Sequence, residues 1–310
     1  MKKENEIIEK TQLMQNNKKC IFVSIVGEPN AGKSTLLNIL INKKVSIVSP
    51  KIQTTRRQIR GITEINDTQI VFTDTPGFFH KSSSPLEKVI YSNFKNSYKD
   101  SDLIILVIDS TSKNIENSIK FVERLEVSRI PLIVIINKVD IAKKESILKI
   151  AETLSCYDFI KQIFMISALK ADGIDDVKNF ILSQAYESPW FYPENTFSDA
   201  PLEFQLSEIT REKIFYNLEK ELPYNIYVET ESVHQTEKKA KIFQSIVVMK
   251  DSQKGIVLGK YGNMIKKIKY ESINDMKNLL NKKIELTLFV KVKEKWTEKK
   301  AHLQNAGIID

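Results

Sequence analysis

The sequence predicts two domains: an α/β domain with a mostly parallel sheet, then a smaller α+β domain. Three observations support this. From Lys19 to about Gln184, apolar strand candidates alternate with amphipathic helical stretches, which is typical of a doubly covered parallel sheet. The stretch 187–201 has three prolines and no periodicity, so it predicts a linker. At 310 residues, the chain is long enough for two hydrophobic cores.

Five runs predict the strands of the first domain: CIFVSIV, TQIVFTD, LIILVID, LIVIIN and IFMIS. Each is apolar enough to be buried on both faces of the sheet. RRQIRGITEI precedes TQIVFTD, and Asn66-Asp67 between them favours a hairpin turn, which makes one sheet edge antiparallel. KSTLLNILIN, SPLEKVIYSNFKNSY and DDVKNFILSQAY have helical periodicity and supply the covering helices.

Beyond the linker the predicted order is αββααβ. A helix, LEFQLSEITREKIFYNLEKEL, precedes two strands, a short helix ending at Gly259, a helix from about Asn263 to Leu280 and a last strand. We therefore expect a polar extension at 1–18, a first domain at 19–186, a linker at 187–200, a second domain at 201–298 and a tail at 299–310.

Charge is unevenly distributed along the chain. The segment 236–300 has 17 lysines, no arginine and seven acidic residues, a local net charge of +10, whereas the whole chain is +8. A basic segment on a near-neutral body predicts a polyanionic partner, nucleic acid before an anionic membrane surface. Cys20 and Cys156 form no motif, so neither a disulfide nor a cysteine metal site is expected.

A phosphate-binding loop is predicted at GEPNAGKS, Gly27 to Ser34, between an apolar strand and a helix. Glycines let the loop wrap closely, so that backbone N–H groups and the helix N-terminus face the phosphates. Lys33 would neutralise phosphate charge, and Ser34 would bind Mg²⁺. The nucleotide contacts expected here are Gly27, Glu28, Pro29, Asn30, Ala31, Gly32, Lys33, Ser34 and Thr35.

Three further motifs follow strand candidates in order. In TDTPG, Asp74 would hold Mg²⁺ through water and the Gly77 N–H would reach the γ-phosphate. In NKVD, the Asp140 carboxylate can accept from both donors on one edge of guanine. In SAL, a backbone N–H can meet the guanine carbonyl. The expected contacts are Asp74, Thr75, Pro76, Gly77, Asn137, Lys138, Asp140, Ser167, Ala168 and Leu169.

The catalytic candidates are Lys33, Thr55, Asp74 and Asn30, and the expected Mg²⁺ ligands are Ser34, Thr55 and Asp74. A switch loop needs a threonine that binds Mg²⁺ and the γ-phosphate. The QTTR motif contains two, and we prefer Thr55 to Thr54. Phe78 follows the TDTPG motif where a water-orienting glutamine would stand, so unaided hydrolysis is expected to be slow. Asn30 either only braces the loop or, as the resemblance of this loop to potassium-dependent GTPases implies, binds a monovalent cation, K⁺, near the phosphates.

Five motifs of the first domain occur in the order GEPNAGKST, SPKIQTTR, DTPGF, NKVD and SAL. The αββααβ domain follows them and contains GKYG and FVKVKEKW. Together these features resemble the Era family of bacterial ribosome-assembly GTPases. The resemblance covers roughly 19–296. It implies a GTPase domain, a type II KH domain, GTP and GDP as ligands, and contact with the 3′ end of 16S ribosomal RNA in small (30S) subunit assembly. It also implies peripheral contact with the inner membrane. We expect a cytoplasmic monomer with a membrane-associated fraction.

The GKYG loop is the predicted RNA-binding element. In KH domains a GxxG loop joins two helices and clamps the backbone of about four nucleotides. Residues expected to bind RNA are Gly259, Lys260, Tyr261, Gly262, Lys266 and Lys267. The alternative is that GKYG is an ordinary turn.

The sequence leaves two alternative functions open. A GTPase of tRNA modification shares the QTTR-like switch, but this chain lacks a C-terminal cysteine motif and a long helical domain. An RNA-binding scaffold that uses nucleotide only structurally would not need Lys33, Ser34, Asp74 and a switch threonine.

Overall fold

The computed structural model describes residues 18–49, 51, 55–56, 58–77, 98–112, 115–219 and 222–309. By their contacts, these residues form two compact units. The first holds 18–46, 58–77 and 98–199, and the second holds the described part of 47–56 together with 200–309. Three sequence predictions lie outside the described residues. They concern Thr54, Phe78 and the helix SPLEKVIYSNFKNSY, of which only the final residue, Tyr98, is described.

The first unit is an α/β domain, as predicted. Its strands are β1 (Lys19–Gly27), β2 (Ile59–Ile65), β3 (Thr68–Asp74), β4 (Leu103–Asp109), β5 (Leu132–Asn137), β6 (Ile160–Met165) and β7 (Tyr186–Glu187). Its described helices are α1 (Lys33–Ile41), α2 (Ile115–Glu126), α3 (Lys144–Ser155) and α4 (Ile174–Gln184). The sheet order is β2-β3-β1-β4-β5-β6, and the short β7 pairs with β1.

Strand pairing explains where functional side chains meet. β2 and β7 are antiparallel to their neighbours and the other pairs are parallel, so the carboxyl ends of β1, β3, β4, β5 and β6 lie at one edge of the sheet. The hairpin at Asn66-Asp67 is present, with Asn66 in the left-handed region at φ 53°. Two apolar clusters cover the faces, one packed under α1 and α4, the other under α2 and α3.

The expectation of burial on both faces is wrong for β6. Met165 is 46% exposed and much of the strand is only partly covered. The reason is topological: β6 lies at the end of the strand order and pairs only with β5. Apolar composition does not tell which strand lies at an edge.

The second unit has the predicted αββααβ order: α5 (Leu202–Asn217), β8 (Tyr227–Gln235), β9 (Lys239–Val248), α6 (Asp251–Leu258), α7 (Asn263–Leu280) and β10 (Lys283–Val292). β9 is central, antiparallel to β8 and parallel to β10. The helix α5 ends five residues before its predicted end. Leu218 is extended and buried, and the Lys51 ammonium donates to the carbonyls of Phe215 and Leu218, which satisfies the helix C-terminus.

The linker aromatics pack on the first unit. The ring of Phe191 lies 4.9 Å from that of Phe22 in an edge-on contact, and the Gln69 amide bonds the backbone of Phe191 and Tyr192. The Lys18 ammonium lies 4.1 Å from the Trp190 ring centre. These contacts give the aromatics a packing role.

The last described residues pack on the second unit through a helix, α8 (Lys300–Asn305). Trp296 is fully buried 4.8 Å from the Tyr227 ring, and its indole N–H donates to the Asn225 carbonyl at 2.9 Å. Leu303 and Ile308 are buried beside it. Among the described residues, no helix is both long and apolar enough to cross a membrane.

Candidate nucleotide site and nucleic-acid interface

The phosphate loop lies between β1 and α1, and its backbone is tightly constrained. Gly32 has φ 100° and lies against Asn137; a Cβ atom there would lie 2.2 Å from the Asn137 amide nitrogen. Asn30 is exposed and left-handed at φ 63°, a conformation that asparagine tolerates better than most residues. The loop therefore presents its backbone at the N-terminus of α1.

Lys33 is buried within this loop. Its ammonium donates to the carbonyls of Gly27 at 3.1 Å and Glu28 at 2.9 Å. Burial lowers the pKa of Lys33 to about 8, and the charges of Asp74 and Glu28 partly oppose this. Burial also raises the pKa of Glu28, against the opposing effects of a hydrogen bond to Asn117 and the charge of Lys33. The lysine is thus held where a bound phosphate would meet it.

Ser34 and Asp74 come together as the candidate magnesium pair. The Ser34 hydroxyl donates to Oδ2 of Asp74 at 2.8 Å, and the carboxylate is fully buried. Hydroxyl and carboxylate oxygens are the hard ligands that Mg²⁺ prefers, so the pair fits that ion. Within the described residues, no group of three or more His, Cys, Asp or Glu side chains could hold a metal. Magnesium here would depend on phosphate oxygens and water as further ligands.

Ser46 is a residue that sequence reasoning missed. Its hydroxyl also donates to Oδ2 of Asp74, at 2.8 Å, and the side chain is 1% exposed. No motif marks Ser46, and only the fold brings it to Asp74. Thr55 is buried, and it belongs with the other described residues of 47–56 to the second unit.

The TDTPG turn uses its threonine internally. The Thr75 hydroxyl donates to the Ile25 carbonyl at 2.8 Å, and Thr75 and Pro76 are buried. Only the backbone of Thr75 is therefore available to a nucleotide. Gly77 lies against Pro29 in the phosphate loop, since a Cβ atom there would lie 2.7 Å from the Pro29 nitrogen. Thr35, in the first turn of α1, is partly buried.

Asn137 ends β5 and joins two loops. Its amide nitrogen donates to the Ala31 carbonyl at 2.8 Å, and its amide oxygen accepts from the Ala168 N–H at 2.9 Å. Asn137 is 2% exposed. One side chain thereby fixes the phosphate loop relative to the SAL loop.

Lys138 is positioned by Asp109, which sequence reasoning also missed. The ammonium lies 2.6 Å from Oδ2 of Asp109, while Oδ1 accepts from the backbone and hydroxyl of Thr111 at 2.8 and 2.6 Å. Asp109 is the last residue of β4, next to the end of β5. The sequence signal that could have identified Asp109 is a carboxylate at the end of an apolar strand.

Asp140 is the candidate guanine acceptor. A hydrogen bond from the Ser167 side chain is the largest influence on it and, with the ammonium of Lys170 at 3.7 Å, lowers the pKa of Asp140. The Ser167 N–H donates to the Asp172 carbonyl and the Ala168 N–H to Asn137. This leaves the N–H of Leu169, whose side chain is 83% exposed, as the candidate donor to the guanine carbonyl.

The GKYG loop joins α6 to α7 with an unusual backbone. Gly259 and Gly262 have φ of 70° and 74°, and the non-glycine Tyr261 between them has φ 54°. The Tyr261 side chain is 83% exposed, and the Lys260 ammonium lies 5.5 Å from its ring centre. The loop therefore projects backbone, an ammonium and an aromatic ring together.

Apolar and basic residues flank the loop. Val257 and Ile268 are fully buried core residues, whereas Ile256 is 55% exposed and can line a groove. The exposed lysines of α7 near the loop are Lys266, Lys267 and Lys269. Lys267 lies 3.9 Å from Glu271, one turn later.

Two known protein families match parts of this chain. The 50S ribosome-binding GTPase family matches residues 22–138, and the KH domain family matches residues 221–297. The first match spans the phosphate loop and the start of NKVD. The second spans the GKYG loop.

Curated relatives and solved structures match nearly the whole chain. GTPase Era of Ehrlichia ruminantium (strain Gardel) is 40% identical over 90% of this chain and 94% of its own, and that of Sinorhizobium medicae is 41% identical over 93% of each. A crystal structure of Era with MgGDPNP and nucleotides 1506–1542 of 16S ribosomal RNA superposes with TM-score 0.87, at 32% identity, over 95% of this chain and 100% of that one. A variant of Aquifex aeolicus Era bound to GDP and AlF₄⁻ gives TM-score 0.86 at 32% identity, over 94% and 100%. The chain belongs to the Era family of GTPases.

Proposed function

We propose that this GTPase binds single-stranded 16S ribosomal RNA near its 3′ end through the KH domain and acts in assembly of the 30S subunit. One observation carries the proposal: the Era structure that matches 95% of this chain is bound both to MgGDPNP and to 16S RNA nucleotides 1506–1542. The basic segment 236–300 and the projecting GKYG loop supply the charge and backbone that such an RNA needs.

GTP binds along the carboxyl edge of the first sheet. The phosphate loop and Lys33 take the phosphates, and Asp140 with the Leu169 N–H takes the guanine edge. Ser34 would hold Mg²⁺ directly, and Asp74 would hold it through water. When bound, it supplies charge that stabilises the transferring phosphoryl group.

Nucleotide state is coupled to RNA binding through the 47–56 segment, which carries Thr55. Its described residues are held within the second unit: the Val48 N–H donates to Glu212, and the Arg56 guanidinium donates at 2.9 Å to the carbonyls of both Ile226 and Tyr224. Thr55 would connect the nucleotide to these hydrogen bonds if it ligated Mg²⁺ when GTP is bound. A change in them on hydrolysis would be the means by which RNA affinity is reset.

Asn30 would hold K⁺, which would supply charge in place of the glutamine that is absent after TDTPG. The left-handed, exposed Asn30 lies in the loop that receives the β- and γ-phosphates. We expect GTP turnover to be at least severalfold faster in potassium buffer than in sodium buffer of equal ionic strength. Phosphate release under single-turnover conditions measures this, and equal rates would contradict a cation role for Asn30.

The proposed cellular location and oligomeric state also follow from the family. We place the protein in the cytoplasm as a monomer, with a peripheral fraction at the inner membrane held by its lysine-rich surface. These are predictions from charge and family, and flotation with anionic vesicles checks the membrane fraction.

Crosslinking in cells tests the RNA partner. RNA crosslinked to the protein is sequenced from cells, with a Lys33→Ala chain as the nucleotide-deficient control. We expect enrichment of the 3′ end of small-subunit ribosomal RNA over other RNAs, reduced in the Lys33→Ala sample. Enrichment of tRNA instead would overturn the assignment, and full ribosome assembly by Lys33→Ala would favour a scaffold.

A further inference from the structure

The root of the 47–56 segment is fixed by a single side chain of α1. Asn38 makes three hydrogen bonds to the backbone of the two residues that precede this segment. Its amide oxygen accepts from the N–H groups of Val45 at 2.8 Å and Ser46 at 2.9 Å, and its amide nitrogen donates to the Ser46 carbonyl at 2.7 Å. These bonds hold the backbone of Ser46 beside α1, from where its hydroxyl reaches Asp74.

That hydroxyl is aimed at the candidate magnesium site. Ser46 and Ser34 both donate to Oδ2 of Asp74, each at 2.8 Å, and neither of these bonds is made to Oδ1. Asp74 is fully buried, so the rotation of its carboxylate is governed by protein groups rather than by solvent.

The two hydroxyls are not equivalent. Ser34 belongs to the phosphate loop and is itself a candidate metal ligand, so its oxygen is committed to the ion when Mg²⁺ binds. Ser46 lies outside that loop, and Asn38 holds its backbone. Its hydroxyl is therefore a support for the carboxylate that is separate from the metal ligands.

We infer that Ser46 is a positioning residue for magnesium: Asn38 holds its backbone, and its hydroxyl holds the Asp74 carboxylate in the orientation in which it would support a bound Mg²⁺. The inference rests on the proposed Mg²⁺ site. Groups that orient metal ligands typically cost 10–100-fold in metal affinity when removed, and because Asp74 itself would act through water, we expect the lower end of that range for Ser46.

Magnesium dependence of nucleotide release tests this inference. The dissociation rate of a fluorescent GDP is measured while Mg²⁺ is titrated, and again in EDTA. For Ser46→Ala we expect the Mg²⁺ midpoint to rise roughly tenfold, with the rate in EDTA within twofold of wild type. Asn38→Ala should shift the midpoint in the same direction, whereas Ser46→Thr, which retains the hydroxyl, should stay within threefold of wild type.

Ser24→Ala is the matched control. Ser24 is also a fully buried serine of the first unit, and its hydroxyl bonds that of Ser101 at 2.6 Å, so this variant should leave the Mg²⁺ midpoint unchanged. An unchanged midpoint in Ser46→Ala, or an equal change in the EDTA rate, overturns the inference. Release from the wild type that ignores Mg²⁺ would instead overturn the proposed metal site itself.

Discussion

Replacing Asp140 by Asn is expected to weaken GTP binding by at least about a hundredfold. The carboxylate is held ionised, since the Ser167 hydrogen bond and the nearby Lys170 lower its pKa. It can accept from both N1–H and the exocyclic amine of guanine. Loss of these hydrogen bonds to a charged group corresponds to roughly a hundredfold or more in Kd.

Xanthosine triphosphate makes this prediction specific. Xanthine has a carbonyl where guanine has the amine, so an asparagine amide can accept from one group and donate to the other. Asp140→Asn should therefore prefer XTP to GTP in a competition assay against a fluorescent nucleotide. Asp172→Asn removes an exposed carboxylate from the SAL loop and should retain wild-type affinity. Comparable GTP affinity in wild type and Asp140→Asn would exclude Asp140 as the guanine acceptor.

The fold could be predicted because its signals are local. Apolar runs predict strands, and the motifs lie at strand ends where a parallel sheet brings them together. The αββααβ order was predicted in the same way. The edge position of β6 and the early end of α5 could not be, because they depend on which strand lacks a neighbour and on where the Lys51 ammonium lies.

The supporting residues of the site were missed for the same physical reason. Asp109 meets Lys138 across 29 positions of sequence, and Ser46 meets Asp74 across 28. A lone aspartate or serine has no pattern that names its partner. The Arg56 contacts in the second unit span up to 170 positions. Sequence motifs thus identify groups that touch the ligand, whereas the groups that hold them become visible only in the fold.

Gly262→Asp should reduce RNA affinity roughly thirtyfold while leaving GTP affinity unchanged. A carboxylate here would face the phosphates that the GKYG loop is proposed to clamp. Like charges about 4 Å apart repel by about 4 kcal/mol near a protein surface, and salt screening leaves about 2 kcal/mol, or thirtyfold. Anisotropy of a labelled single-stranded RNA with the 16S 3′-end sequence measures this at fixed salt.

The two glycines of the loop are not equivalent for this experiment. A Cβ atom at Gly259 would lie 2.6 Å from the Met264 Cβ atom, so substitution there disturbs α7 as well as the RNA surface. At Gly262 nothing lies within 4 Å, and the cost is only that of a left-handed conformation at φ 74°, about 1–2 kcal/mol. A double substitution would mix the two effects, whereas Gly262 alone separates them.

Gly262→Asn completes the design, because asparagine matches aspartate in shape and tolerates the left-handed region without adding charge. Asn42 and Asn281 already adopt this conformation at helix ends of this chain. We expect the Asn variant to bind RNA within threefold of wild type. GKYG would be a structural turn if the Asn and Asp variants lost RNA affinity equally. The same would follow if GTP affinity and thermal stability fell together with RNA affinity. A loss confined to Asp would mean that the loop approaches RNA phosphates.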